Sequence, residues 1–69
     1  MARWFREHDA PPADMFEARD VYLIRRIDDD GRGVPGSEMV RILDDYDSLC
    51  FYLKVWGAEI YGPIKWEKN

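Results

Sequence analysis

A single cysteine and a single histidine are all that this 69-residue chain offers to covalent cross-linking or to a structural metal. A domain of this size buries only about 60% of the surface its unfolded chain exposes, so its stability margin is thin. Small domains commonly add disulfides, a metal ion or a partner subunit to compensate. Cys50 has no second cysteine to bond within the chain, and Cys50 with His8 falls short of the four ligands of a structural zinc site. Packing of large rings remains. Trp4, Phe5, Phe16, Tyr22, Tyr46, Phe51, Tyr52, Trp56, Tyr61 and Trp66 supply ten of them, and such rings dominate burial in a small core. A homo-oligomer is the other route, and composition leaves it open.

The chain shows no repeat, no low-complexity tract and no linker that would divide residues 1–69 into more than one small domain. Its opening, "MARWFREHDAPP", lacks the apolar run of a signal peptide. No apolar stretch approaches the roughly 18 residues that span a bilayer. With a lone thiol besides, the sequence predicts a cytoplasmic protein without membrane contact.

Local patterning predicts an α+β fold. Pro11-Pro12 suits the start of a helix, and "ADMFEARD" (residues 13–20) is rich in helix formers. "DVYLIRRI" (residues 20–27) is dense in β-branched and aromatic residues and fits a strand. A polar loop, "DDDGRGVPGS", follows, punctuated by Gly31, Gly33, Pro35 and Gly36. "SEMVRILDDYD" (residues 37–47) can be read two ways. As a helix it would place Asp44, Asp45 and Asp47 at a C-terminus, where each carboxylate costs roughly 0.3–1 kcal/mol against the helix dipole. As a strand it sets Val40 and Ile42 on one face and Met39, Arg41 and Leu43 on the other, with the aspartates in a turn. The strand reading is preferred. "SLCFYLKVW" (residues 48–56) alternates Leu49, Phe51, Leu53 and Val55 against Cys50, Tyr52, Lys54 and Trp56, which predicts another strand. Gly57 ends it, and "AEIYGPIKWE" (residues 58–67) reads as a shorter strand bent or edge-placed at Gly62-Pro63. The expected architecture is an antiparallel meander of about four strands with a short N-terminal helix. An all-β, SH3-like small barrel is the alternative.

Catalytic, metal and nucleotide motifs fail on inspection. With Gly31 as the sixth position of a calcium loop, "IDDDGRG" puts Arg26 first and Ser37 twelfth, where carboxylates are needed. "GRGVPG" lacks both the Gly-Lys-Ser/Thr of a phosphate loop and the GxGxxG spacing. His8 has no serine or cysteine near it in sequence, and Cys50 reads as a structural thiol. The adjacent pair Asp44 and Asp45 reads as solvated in a turn rather than tuned for acid–base work. The sequence therefore predicts no enzyme, no cofactor and no metal.

Charge is what remains to be explained. The net charge is −4, and residues 38–48 alone carry four acids against one arginine. Such a field repels a phosphate backbone and attracts basic protein surfaces. The candidate partner-binding residues are Asp28, Asp29 and Asp30 in the long loop, and Asp44, Asp45, Tyr46 and Asp47 in "LDDYD", where a tyrosine sits among carboxylates. The competing reading is that these acids only keep a thin-cored domain soluble.

In its small size, its acidity, its "IDDDG" and "LDDYD" clusters and its lack of an active-site signature, the chain resembles the phage-encoded inhibitors of bacterial defence, anti-CRISPR proteins among them. That resemblance implies a stoichiometric inhibitor in the host cytoplasm that occupies a basic, nucleic-acid-binding surface of a protein or effector complex. It also raises partial DNA mimicry. One strand would separate the two Asp clusters by roughly 20–25 Å, with Asp14, Glu17 and Glu59 between them, and only a one-sided arrangement would approach the charge density of duplex DNA. Two alternatives stand beside it. A nucleic-acid-binding β-domain would use Arg25 and Arg26 with Tyr22, Tyr52 and Trp56 as stacking platforms. A structural or assembly subunit would use Trp4, Phe5 and Trp66 as interface anchors.

Overall fold

The computed structural model describes residues 2–16 and 19–64. Four strands form one antiparallel sheet: β1 (Arg3–Phe5), β2 (Asp20–Arg25), β3 (Met39–Leu43) and β4 (Glu59–Ile64), in the order β1-β4-β2-β3. The α+β class and the antiparallel sheet agree with the sequence reading. The meander does not, because β4 crosses back to lie between β1 and β2. The sheet is open, with β1 and β3 at its edges, so the barrel alternative fails too.

The largest correction concerns residues 48–56. Tyr46–Lys54 form a nine-residue α-helix, α1, and not a strand. Leu49 and Leu53 lie four apart and are the two buried side chains of this helix, as one face of a 3.6-residue period requires. Asp45 caps it, its Oδ1 accepting from the Ser48 N–H at 2.8 Å. The chain turns back at Gly57, with the Ala58 N–H donating to the Tyr52 carbonyl at 3.0 Å.

The expected N-terminal helix is reduced to a single 3-10 turn at Ala13–Met15. Pro12 precedes it in extended geometry and Phe16 follows in extended geometry, which leaves too little chain for two α-helical turns; residues 17 and 18 of that expectation lie outside the described residues. The strand expected at 58–67 is present as β4 to Ile64, and its residues 65–67 lie outside the described residues. It is a central strand, not an edge. It accommodates Gly62-Pro63 through a shift of register opposite β2 between Val21 and Leu23. Gly62 is needed there because a Cβ would stand 2.6 Å from Cδ1 of the buried Tyr22 ring.

Alternation along the strands divides the sheet into two faces. Phe5, Tyr22, Ile24, Leu43 and Ile60 point to α1 and pack with Leu49, Leu53 and Ala58 into the core. Phe16 stacks on Tyr22, with centroids 6.1 Å apart, and meets Tyr46 edge-on at 5.8 Å. The opposite face carries two cross-strand rows that the register fixes: Trp4, Tyr61, Leu23 and Val40 in one, and Ile64, Val21 and Ile42 in the other. No helix among the described residues is long and apolar enough to cross a membrane.

Candidate protein-docking site

The two acidic clusters fall at opposite ends of the β2–β3 hairpin. Asp28, Asp29 and Asp30 lie in the loop that joins the strands, and Asp44, Asp45 and Asp47 follow β3 into α1. The structure thus does not gather them into one patch. Nor do all seven predicted residues face a partner in the same way.

Asp28 turns its carboxylate onto its own loop, with Oδ1 accepting from the N–H groups of Asp30 and Arg32, each at 2.9 Å. Asp45 caps α1, and its hydrogen bonds from Ser48 hold its carboxyl below the ordinary range. Tyr46 donates from Oη to the Pro11 carbonyl at 2.6 Å and is half-buried against the core. Burial pushes its phenol up, as does the neighbouring Cys50. These three residues hold the fold. Asp29, Asp30, Asp44 and Asp47 are exposed and remain the acids best placed for a partner.

The basic-aromatic alternative changes similarly. Arg25 ion-pairs with Glu59, and its guanidinium lies 4.0 Å from the centroid of the Trp4 ring. Tyr22 is only 2% exposed, so no base can stack on it. Glu59, expected on the surface between the acidic clusters, is 5% exposed and buried. Its carboxylate also accepts from Arg6 Nε at 3.2 Å, while Arg6 Nη2 donates to the Gly31 carbonyl at 2.6 Å. Phe5, expected as an interface anchor, is a core residue at 2% exposure, Trp4 is half-buried beside Tyr61, and Trp66 lies outside the described residues. His8 is exposed and approaches Asp9 at 4.0 Å, and Cys50 is half-buried on α1.

What sequence reasoning missed is that β3 stands at the edge of the sheet. Val40 and Ile42 are 59% and 61% exposed on β3, the edge of the sheet. With Val21, Arg19 and Asp44 they line an open groove of about 390 Å³. The Arg19 N–H donates to the Leu43 carbonyl at 2.7 Å, so Leu43 directs its backbone at β2. Peptide groups alternate along a strand; hence the N–H and C=O of Val40 and Ile42 point away from the sheet. The Arg41 side chain confirms that direction, donating from Nη1 to the Val40 carbonyl at 3.0 Å. Arg19 holds a left-handed φ of 70° at the rim, a conformation that costs a non-glycine residue roughly 1–2 kcal/mol. The alternation of Val40 and Ile42 was legible in the sequence, but which strand would stand at the edge was not.

Searches of protein-family models, curated proteins and solved structures returned no match to this chain.

Proposed function

We propose that this chain is a non-catalytic protein-binding inhibitor that docks on a basic, nucleic-acid-binding surface of a partner protein. One observation carries the reading. The edge strand β3 exposes Val40 and Ile42 side by side, and the exposed residues Glu38, Asp44 and Asp47 flank it. An apolar centre with a charged rim is how protein interfaces are built, and the sign of the rim selects a basic partner. Inhibition follows from occupancy: a partner surface covered this way is closed to nucleic acid. Partial DNA mimicry draws less support, because Asp28 and Asp45 spend their carboxylates on their own backbone.

The test is capture from nuclease-treated bacterial lysate on immobilised protein, at low and raised salt, with mass spectrometry of what is retained. The expected result is one basic nucleic-acid-handling protein, released by salt and lost with the Asp44→Asn, Asp47→Asn variant. Retention that ignores both salt and the variant refutes the docking role of these acids.

A further inference from the structure

We infer that the β3 edge recognises its partner by strand addition, taking an extended segment with apolar residues two apart and a basic residue at each end. This rests on the docking function proposed above and names the form of the ligand.

The edge carries the chemistry for such pairing. Val40 and Ile42 each present an outward N–H and C=O, and an antiparallel neighbour satisfies all four groups. On the open face the added strand sets two side chains against Val40 and Ile42, which accounts for their exposure. Asp44, two residues beyond Ile42, lines the groove with Val40 and Ile42 and calls for a lysine or arginine opposite it. Glu38, two residues before Val40, accepts from the Gly36 N–H at 2.9 Å and leaves a second exposed negative charge at that end. Arg41 projects to the other face and calls for an acid or a neutral residue.

Charge also argues against the obvious competitor, a second copy of this chain. The symmetric antiparallel pairing that opposes Val40 to Ile42 sets Arg41 against Arg41, and Glu38 against Asp44 at both ends. Like charges directly opposite one another are destabilising. The Arg41 guanidinium on the Val40 carbonyl further blunts the free edge, a common defence against self-pairing. A partner strand displaces that single side-chain contact.

The probe is the end-capped peptide Lys-Thr-Val-Glu-Val-Thr-Lys, titrated into isotopically labelled full-length protein at low salt. The expected result is shifts centred on the amides of Val40 and Ile42, with protection of both from hydrogen exchange. N-methylation of both valines of the peptide weakens binding by about tenfold or more, since their N–H groups face β3. Ile42→Pro has the same effect on binding while the fold is retained, because that N–H serves no strand within the chain; the N-methylated peptide decides the matter if this variant does not fold. Failure of the peptide to bind, or equal binding of the N-methylated form, overturns strand addition. So does sedimentation as a dimer that Ile42→Pro dissociates, which assigns the edge to a second copy. Salt-sensitive, Asp44-dependent capture of a lysate partner that is unaffected by Ile42→Pro removes strand addition and leaves the docking function standing.

Discussion

Glu59 and Arg25 oppose each other across β4 and β2, with Glu59 Oε1 accepting from Arg25 Nε at 2.7 Å. Glu59 is the only charged residue buried among the described residues, and Arg6 reaches its carboxylate from the other side. A desolvated carboxylate is tolerated only when its partners repay the loss of water. Here the two guanidiniums do so while remaining partly exposed, and Arg6 extends the cluster to the Gly31 carbonyl of the long loop. One side chain thereby ties β1, β2, β4 and that loop together.

Glu59→Ala is therefore expected to destabilise the protein by about 2–3 kcal/mol, below the roughly 3–5 kcal/mol for breaking a fully buried pair, because both arginines keep some water. Urea unfolding measures this. A change below about 0.5 kcal/mol, the scale of ordinary surface substitutions, would mean that the cluster contributes little.

Gly33 lies against the same pair. A Cβ there would stand 2.5 Å from both Arg25 Cζ and Glu59 Oε1. Gly33→Ala is expected to push the pair apart and cost about 1–3 kcal/mol. In an Arg25→Ala background the methyl group meets less obstruction, so its cost should fall by about 1 kcal/mol or more. Strict additivity in this double-mutant cycle would contradict the contact.

The fold shows where the sequence was readable. β2 followed from its density of β-branched and aromatic residues and β3 from the alternation of Val40 and Ile42 with Met39, Arg41 and Leu43, and register then put Val21 opposite Ile42 and Leu23 opposite Val40. Helix α1 was misread because apolar residues fill positions of both periods: Leu49, Phe51 and Leu53 alternate, yet Tyr46, Leu49 and Leu53 repeat at helical spacing. The deciding signal was Asp45 with Ser48 three residues on, an N-cap beside Asp47 in the first turn. The dipole argument that rejects aspartates at a helix C-terminus welcomes them at an N-terminus. β1 was missed because three residues carry too little pattern to read, and the burial of Glu59 depends on contacts 34 and 53 residues away in sequence.

The cap makes stability depend on acid. Hydrogen bonds from Ser48 lower the Asp45 pKa in the folded state, and the bond from the Arg6 N–H does the same for Asp9. Their contribution is complete above the unfolded carboxylate value of about 3.9 and is lost as pH falls through the lower folded values. Asn caps a helix as well as Asp does, without titrating. Thermal melts should thus place Asp45→Ala below both wild type and Asp45→Asn at pH 7. While the advantage of Asp45→Asn over Asp45→Ala persists in acid, the gap between wild type and Asp45→Ala should close below pH 3, as the native carboxyl is protonated. A gap that is independent of pH would remove Asp45 from the acid response.

Tyr46 separates a structural from a docking role at one side chain. Its hydroxyl donates to the Pro11 carbonyl at 2.6 Å, and its ring meets Phe16 edge-on. Tyr46→Phe removes the hydrogen bond and keeps the ring, so it should cost about 1 kcal/mol. Burial raises the phenol pKa, with Cys50 adding to the shift, so the folded state holds its proton beyond the unfolded value of about 10. The corresponding stability is present below that value and is lost as pH rises through the folded one. Tyr46→Phe should abolish this alkaline loss in urea unfolding followed between pH 8 and 11, while leaving salt-sensitive partner capture at pH 7 unchanged. If capture fails in a variant that remains folded, the hydroxyl belongs to the docking surface and not to the fold alone.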